Sequence, residues 1–151
     1  MIVTGRWTPP MRFDATTECG KTVVMNVLSE KCGEKAGPTP METVLGALTA
    51  CSGMDVAGIL MKMRAPLEGL EITAEAERAT EHPKVFTRIH LHYDAWGAGL
   101  QEEQVRRAVS LSLDTYCSVA AMLRQTALIT HEIVVAKRQK DLAPAEPVTA
   151  A

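Results

Sequence analysis

The stretch Pro38–Met63, PTPMETVLGALTACSGMDVAGILMKM, limits what this chain can fold into more than any other. Apolar residues recur at Val44, Leu45, Leu48, Cys51, Met54, Val56, Ile59, Leu60 and Met63, mostly in steps of three and four, the period of a helix. Charge enters only at Glu42, Asp55 and Lys62. A helix that is apolar on most sides has to be buried nearly all round. The 22 residues from Glu42 to Met63 would run roughly 33 Å, the width of a small domain. The stretch reads as a central core helix, with Gly46, Gly53 and Gly58 as points where other backbone can come close. It also has the length of a membrane span. Asp55, the three glycines and the lack of a clear basic flank argue instead for burial in protein. A chain of 151 residues can hardly cover such a helix alone, and a second copy of the chain is the easiest cover.

The flanks read as an α+β chain. Ile2–Trp7, Met11–Thr16 and Thr22–Asn26 are three short strands, broken by Pro9-Pro10 and by the turn Cys19-Gly20-Lys21. Leu28–Pro40 is a loop that holds Cys32 as an exposed or half-exposed thiol without a partner. Pro40 precedes the helix, and Pro66 ends it. In Leu70–Arg78 and Val85–Trp96 apolar and polar residues alternate. Ile89, Leu91 and Tyr93 share one face, and Arg88, His90 and His92 the other. The two segments form a hairpin with one buried face. Glu102–Leu113 is amphipathic, with Val105, Ala108, Val109 and Leu113 inward. Asp114-Thr115 breaks it and offers caps for a second helix, Tyr116–Gln125. Ile129–Ala136 is a last strand. The order is βββ-α-ββ-αα-β, with mostly antiparallel pairing because hairpins dominate. Residues 1–139 make one domain, and 140–151 a disordered polar and Pro/Ala-rich tail.

Composition removes several function classes. With 46% hydrophobic and 23% charged residues and a net charge of −2, there is no basic run that would hold nucleic acid or an anionic membrane. The N-terminus, MIVTGRWTPPMRF, has no apolar core of a secretory signal, so a cytoplasmic protein is expected. In that compartment Cys19, Cys32, Cys51 and Cys117 are not a disulfide scaffold, and no CxxC pair or tight metal-ligand spacing joins them.

Two of those cysteines carry the candidate chemistry. Cys51, in an apolar helix, is by itself as well explained as a small hydrophobe. Cys117 falls in the first turn of its predicted helix, where N–H groups and the helix dipole favour thiolate. Sequence alone does not bring together two thiols 66 positions apart. His90-Leu91-His92 puts two imidazoles on one strand face. Pairing across the hairpin with Thr73, Glu75 and Glu77 explains it better than a metal. Asp55, one turn after Cys51, would raise a thiol pKa if alone beside it, so pairing with an arginine or capping of a buried polar group is expected. Met54, Met61, Met63 and Met122 are core or pocket lining. No cofactor is called for.

Pro38–Met63, His82–Tyr93 (HPKVFTRIHLHY) and Leu111–Leu123 (LSLDTYCSVAAML), in this order, resemble the OsmC/Ohr family of peroxide-reducing proteins, on its OsmC-like branch. The likeness runs from about Met11 to Ala136. It implies an intertwined homodimer, with antiparallel sheets around the long central helices and N-terminal strands completing the partner's sheet. It implies that Cys51 attacks a peroxide to give a sulfenic acid, that Cys117 resolves it to a disulfide, and that an external dithiol, of the lipoyl type in the family, resets the pair. It further implies an activating arginine from the N-terminal strands, Arg12 with Arg6 as the alternative, and a glutamate before the helix, Glu42. In the peroxidase branch that glutamate directly follows the proline. Here Met41 intervenes, which on a helix is a rotation of about 100°. The substrate class is organic hydroperoxides, held by apolar lining at Val44, Leu48, Met54, Met122 and Phe13. The shifted glutamate supports an alternative: a redox-sensing or small hydrophobic or thiol ligand-binding homologue with little turnover.

Overall fold

The computed structural model describes residues 1–26, 37–138 and 141. The expected thiol at Cys32 and the tail from 142 onward lie outside the described residues. The chain divides into two compact units, Met1–Ala47 and Leu48–Ala151.

In the first unit β1 (Val3–Thr8), β2 (Arg12–Thr17) and β3 (Thr22–Asn26) form an antiparallel meander in that order. Trp7, Met11 and Phe13 remain exposed on it, and with Met25, Asn26 and Pro40 they line an apolar pocket. The helix α1 (Pro40–Lys62) begins in this unit. Its start is a capping box. The Thr39 N–H donates to Glu42 Oε2 at 2.6 Å, and the Glu42 N–H donates to Thr39 Oγ1 at 3.2 Å. Pro40 takes the first helical position, where its missing N–H costs nothing.

In the second unit α1 runs on from Leu48. It is not buried all round. Leu48, Ser52, Val56 and Leu60, four apart, are fully buried, whereas Met54 and Met61 are 71% and 67% exposed. The reason is supply: one stripe packs on the sheet and helices of this unit, and Met54 and Met61 find no cover among the described residues. Gly58 meets nothing among the described residues, and Gly53 packs closely, against the Ile72 side chain rather than backbone. The helix stops before Pro66. Arg64 adopts φ +54°, and the Ala65 and Arg64 N–H groups return to the carbonyls of Leu60 and Met61, each at 3.0 Å. This is a Schellman close, with arginine where glycine is usual.

A three-stranded sheet takes the order β4 (Gly69–Arg78), β5 (Phe86–Trp96), β6 (Leu128–Ala136). The β4–β5 hairpin is antiparallel, with Thr73, Glu75 and Glu77 opposite His92, His90 and Arg88 as expected. However, β6 runs parallel to β5, so this sheet is mixed rather than antiparallel. The cause is the long helical connection between them: a crossover of that length brings the chain back in the same direction. The inner face carries Ile89, Leu91 and Tyr93, all buried, against Val105, Ala108 and Val109 of α2 (Glu102–Leu111).

The crossover does not break at Asp114-Thr115. Residues Ser112–Tyr116 continue α2 as a π turn, closed by the Cys117 N–H on the Ser112 carbonyl at 2.8 Å. The next helix, α3 (Ser118–Leu123), is shorter than expected, and its N-cap is Cys117 itself. The element order is otherwise as read, an α+β chain of the expected connectivity.

Candidate functional site

Two helical devices bring the chemistry of the second unit together. On α1, Cys51 and Asp55 are one turn apart and so share a face. On the crossover, the π turn inserts an extra residue per turn and delivers Ser112 and Cys117 to that face; such turns recur at functional sites. The Cys51 Sγ, the Cys117 Sγ and an Asp55 carboxylate oxygen all lie within 4.8 Å of one another. Both cysteines are reduced.

Their environments differ. Cys51 is half-buried, whereas Cys117 is 2% exposed. The Cys117 Sγ accepts the Ala120 N–H at 3.4 Å, as a capping side chain should. That bond favours the thiolate, but burial outweighs it. Burial first, and then the hydrogen bond with Cys51, push the Cys117 thiol above its ordinary range. The expectation that its helical position makes Cys117 a thiolate is therefore overturned: a six-residue helix offers little dipole against loss of solvent.

Behind the thiols lies a chain of buried hydroxyls. Tyr93 Oη and Ser52 Oγ are 2.6 Å apart, Ser52 Oγ and Ser112 Oγ 3.1 Å, and Ser112 Oγ and Asp55 Oδ2 3.2 Å. An ionised carboxylate can only accept, and each hydroxyl has one proton. The protons then run one way: Tyr93 donates to Ser52, Ser52 to Ser112, and Ser112 to Asp55. Asp55 thus does satisfy a buried polar group, not an arginine. Burial pushes the Tyr93 phenol up to about 12. None of the three hydroxyls was singled out from sequence. Ser52, Tyr93 and Ser112 lie far apart in the chain, and no motif marks them.

A cavity of about 540 Å³ reaches Asp55 and is lined by Met54, Ile59, Leu111 and Tyr116, with Lys62 and Arg107. Of the lining expected around Cys51, Met54 lines this cavity, whose wall includes Asp55 but neither cysteine. Leu48 is core at 0% exposed, Met122 is exposed, and Phe13 lines the pocket of the first unit.

The other two expected site residues belong to the first unit. Arg12 holds Asp14 with two bonds, Nε to Oδ1 at 2.7 Å and Nη2 to Oδ2 at 3.0 Å. The pair raises the arginine pKa and lowers that of the aspartate, chiefly through the hydrogen bonds. An arginine that already carries its own carboxylate partner is held in one orientation. Glu42 is engaged in the capping box. The TPME signature of that box was legible and explains the one-residue offset, since the box requires its acid at the third helical position.

Outside this cluster, His92 binds Glu132 of β6 at 2.5 Å and Asp94 at 3.0 Å, and His90 binds Thr130 at 2.8 Å. Only Arg88 pairs across the hairpin, with Glu77 at 3.9 Å. The partners come from the parallel neighbour β6. Cys19 is exposed, and its bond with Thr17 Oγ1, at 3.1 Å, lowers its thiol pKa.

A profile of the OsmC-like protein family matches residues 33–132, which hold both cysteines, Asp55 and the hydroxyl chain. The chain belongs to the OsmC-like family. It is 41% identical over 133 residues to Protein YhfA of Escherichia coli K12, covering 87% of this chain and 96% of YhfA. A hypothetical protein from Aquifex aeolicus VF5 superposes with a TM-score of 0.80 at 28% identity, over 91% of this chain and 97% of that one. An organic hydroperoxide resistance protein OsmC from Legionella pneumophila, described as a predicted redox protein, superposes with a TM-score of 0.65 at 15% identity. It covers 88% of this chain and 96% of its own. The last likeness is one of fold, so what an OsmC-like chain does here has to be argued from its own residues.

Proposed function

We propose that this protein is a thiol-dependent reductase of organic hydroperoxides. The observation that carries the reading is the meeting of Cys51 and Cys117, from helices 66 positions apart, within 4.8 Å. Two reduced thiols at that separation close to a disulfide by side-chain rotation, because the bonded geometry needs only Cβ atoms about 3.8 Å apart. The more accessible Cys51 attacks the peroxide: sulfur binds the distal oxygen, the O–O bond breaks, and the alkoxide leaves as alcohol after gaining a proton. The Cys117 thiol then displaces water from the Cys51 sulfenic acid, forming the S–S bond. An external dithiol reduces that bond by exchange and is itself oxidised. The buried Cys117 suits the resolving role, since a sulfenic acid is a far better electrophile than a peroxide in bulk water. Arg12 and Glu42 are proposed to assist, Arg12 as the cation favouring thiolate at Cys51. The function of the Legionella relative, as its name states it, supports the same class of substrate.

We also infer a homodimer, supported by the exposed Met54, Met61, Tyr116 and Met122 and the open faces of α1. A dithiol-reset enzyme belongs in a reducing compartment, which agrees with the cytoplasm.

The test is consumption of cumene hydroperoxide by reduced protein with excess dithiol. Many turnovers per chain are expected, with none in Cys51→Ser. Cys117→Ser should react once and then accumulate sulfinic acid at Cys51 by mass spectrometry. One specific observation favours a second reading, sensing or ligand binding without turnover: an Asp55 carboxylate oxygen lies within 4.8 Å of both sulfurs, and a carboxylate in such a place repels a second negative charge. Disulfide formation without turnover would select it.

A further inference from the structure

We propose that Cys51, Asp55 and Cys117 form a binding site for a borderline-to-soft divalent metal ion, of the zinc class. The donor set is two thiol sulfurs and one carboxylate oxygen, mutually within 4.8 Å. Around a tetrahedral zinc, bonds of about 2.3 Å to sulfur and about 2.0 Å to oxygen put donor atoms roughly 3.5–3.8 Å apart. The ligands, mutually within 4.8 Å, therefore need to close by at most about 1.3 Å, within the reach of Cys and Asp side-chain rotation. Two of the three stand on one helix at i and i+4, so their relative position is set by the backbone of α1.

The surroundings are those of a metal site rather than of a chance cluster. Metal-bound carboxylates are oriented by a hydrogen bond from behind, and Ser112 supplies one to Asp55 at 3.2 Å. Ser112 is itself fixed by Ser52 and Tyr93, and all three are fully buried. The Ala120 N–H on Cys117 Sγ is a bond that a metal-bound thiolate would keep, while the ion itself would have to offset the burial that holds this thiol neutral. Three groups able to carry negative charge meet here, and Asp55 takes part in none of the ion pairs among the described residues. A divalent cation resolves that conflict. Sulfur donors select zinc, cobalt or cadmium over magnesium and calcium, which take oxygen. Of the three donors, Asp55 lines the neighbouring cavity and so stands where an ion could arrive. The inference does not depend on peroxide turnover, but it uses the same sulfurs. Metal loading and disulfide formation then exclude each other, and the ion would hold the thiols reduced.

The test is titration of the reduced full chain with Co²⁺, in a Cys19→Ser, Cys32→Ser background, followed by the thiolate-to-cobalt charge-transfer absorption and by equilibrium dialysis. One ion per chain is expected, displaced by Zn²⁺ and absent after oxidation to the disulfide. Cys51→Ser or Cys117→Ser should abolish the band. Asp55→Asn should weaken binding by ~100-fold and Ser112→Ala by ~10-fold, the range for lost ligand support. Asp55→Cys should restore binding, since it replaces the ligand without replacing the carboxylate. Circular dichroism melts check that each variant is folded. No charge-transfer band in the parent protein, or an unchanged affinity in folded Asp55→Asn, overturns the proposal.

Discussion

Removing links of the buried hydroxyl chain one at a time should give unequal and non-additive losses of stability. Tyr93→Phe deletes one hydrogen bond but strands nothing, because Ser52 Oγ keeps Ser112 as a partner. The cost should be about 1 kcal/mol, the net worth of one intramolecular hydrogen bond. Ser52→Ala is worse. It leaves the Tyr93 hydroxyl, at 0% exposure, without its 2.6 Å partner. An orphaned buried hydroxyl costs about 1–3 kcal/mol on top of the lost bond, so about 2–4 kcal/mol in all. The double variant removes both partners and should cost less than the sum by about 1 kcal/mol or more. The readout is urea unfolding at one fixed protein concentration. With a slope of about 2 kcal/mol/M, the single variants should shift the midpoint by about 0.5 M and 1–2 M. An alkaline series gives a second handle. The phenol is held neutral by burial, which pushes its pKa up to about 12 from the ordinary 10.0. Its ionisation is easier in the unfolded chain, so stability is intact below pH 10 and falls as pH rises from 10 towards 12. The loss should be roughly 2–3 kcal/mol in the parent and absent in Tyr93→Phe. Additive losses, or Ser52→Ala no costlier than Tyr93→Phe, would refute the one-way chain from Tyr93 to Asp55.

Glu42→Gln should keep the capping box and the melting temperature, whereas Glu42→Ala should lose about 1 kcal/mol; a fall in peroxide turnover with Glu42→Gln but no change in melting would separate a charge role from capping. The His92 pKa is raised, first by its bond to Glu132, so this pair's contribution is fully present below pH 6.5 and is lost as pH rises through the folded value; NMR titration of Glu132→Gln should show the His92 pKa move down. Sedimentation at low micromolar concentration should show a dimer and no folded monomer, and Met54→Glu with Met61→Glu should shift it to monomer or unfold it. Finally, kcat/KM should favour cumene hydroperoxide over hydrogen peroxide by roughly two decades, since three or four buried methylenes contribute about 0.8 kcal/mol each; equal values would mean that the apolar residues beside Asp55 line no substrate site.

Much of the architecture was legible because periodicity reports which side of an element is wet. The alternation in β5 marked Ile89, Leu91 and Tyr93, and the helical step in α2 marked Val105, Ala108 and Val109, and all six are buried. Opposite residues across a hairpin are likewise a local matter, which is why the β4–β5 register could be read from the turn. The capping box at Thr39–Glu42 is equally local, since both of its partners lie within four residues.

The elements, their order and the two candidate thiols are therefore properties of the chain as a string, set by steric period, turn chemistry and a side chain's own reactivity. What the string could not contain is the direction in which β6 returns, the π turn that adds one residue ahead of Cys117, and the company each polar group keeps. Those depend on contacts between segments 40 to 60 positions apart, such as Ser52 with Tyr93 and with Ser112, and no local signal encodes them. The same holds for charge. Position at a helix start argued for a thiolate at Cys117, but the tertiary packing excluded water from it, and desolvation outweighs the few N–H dipoles of a short helix.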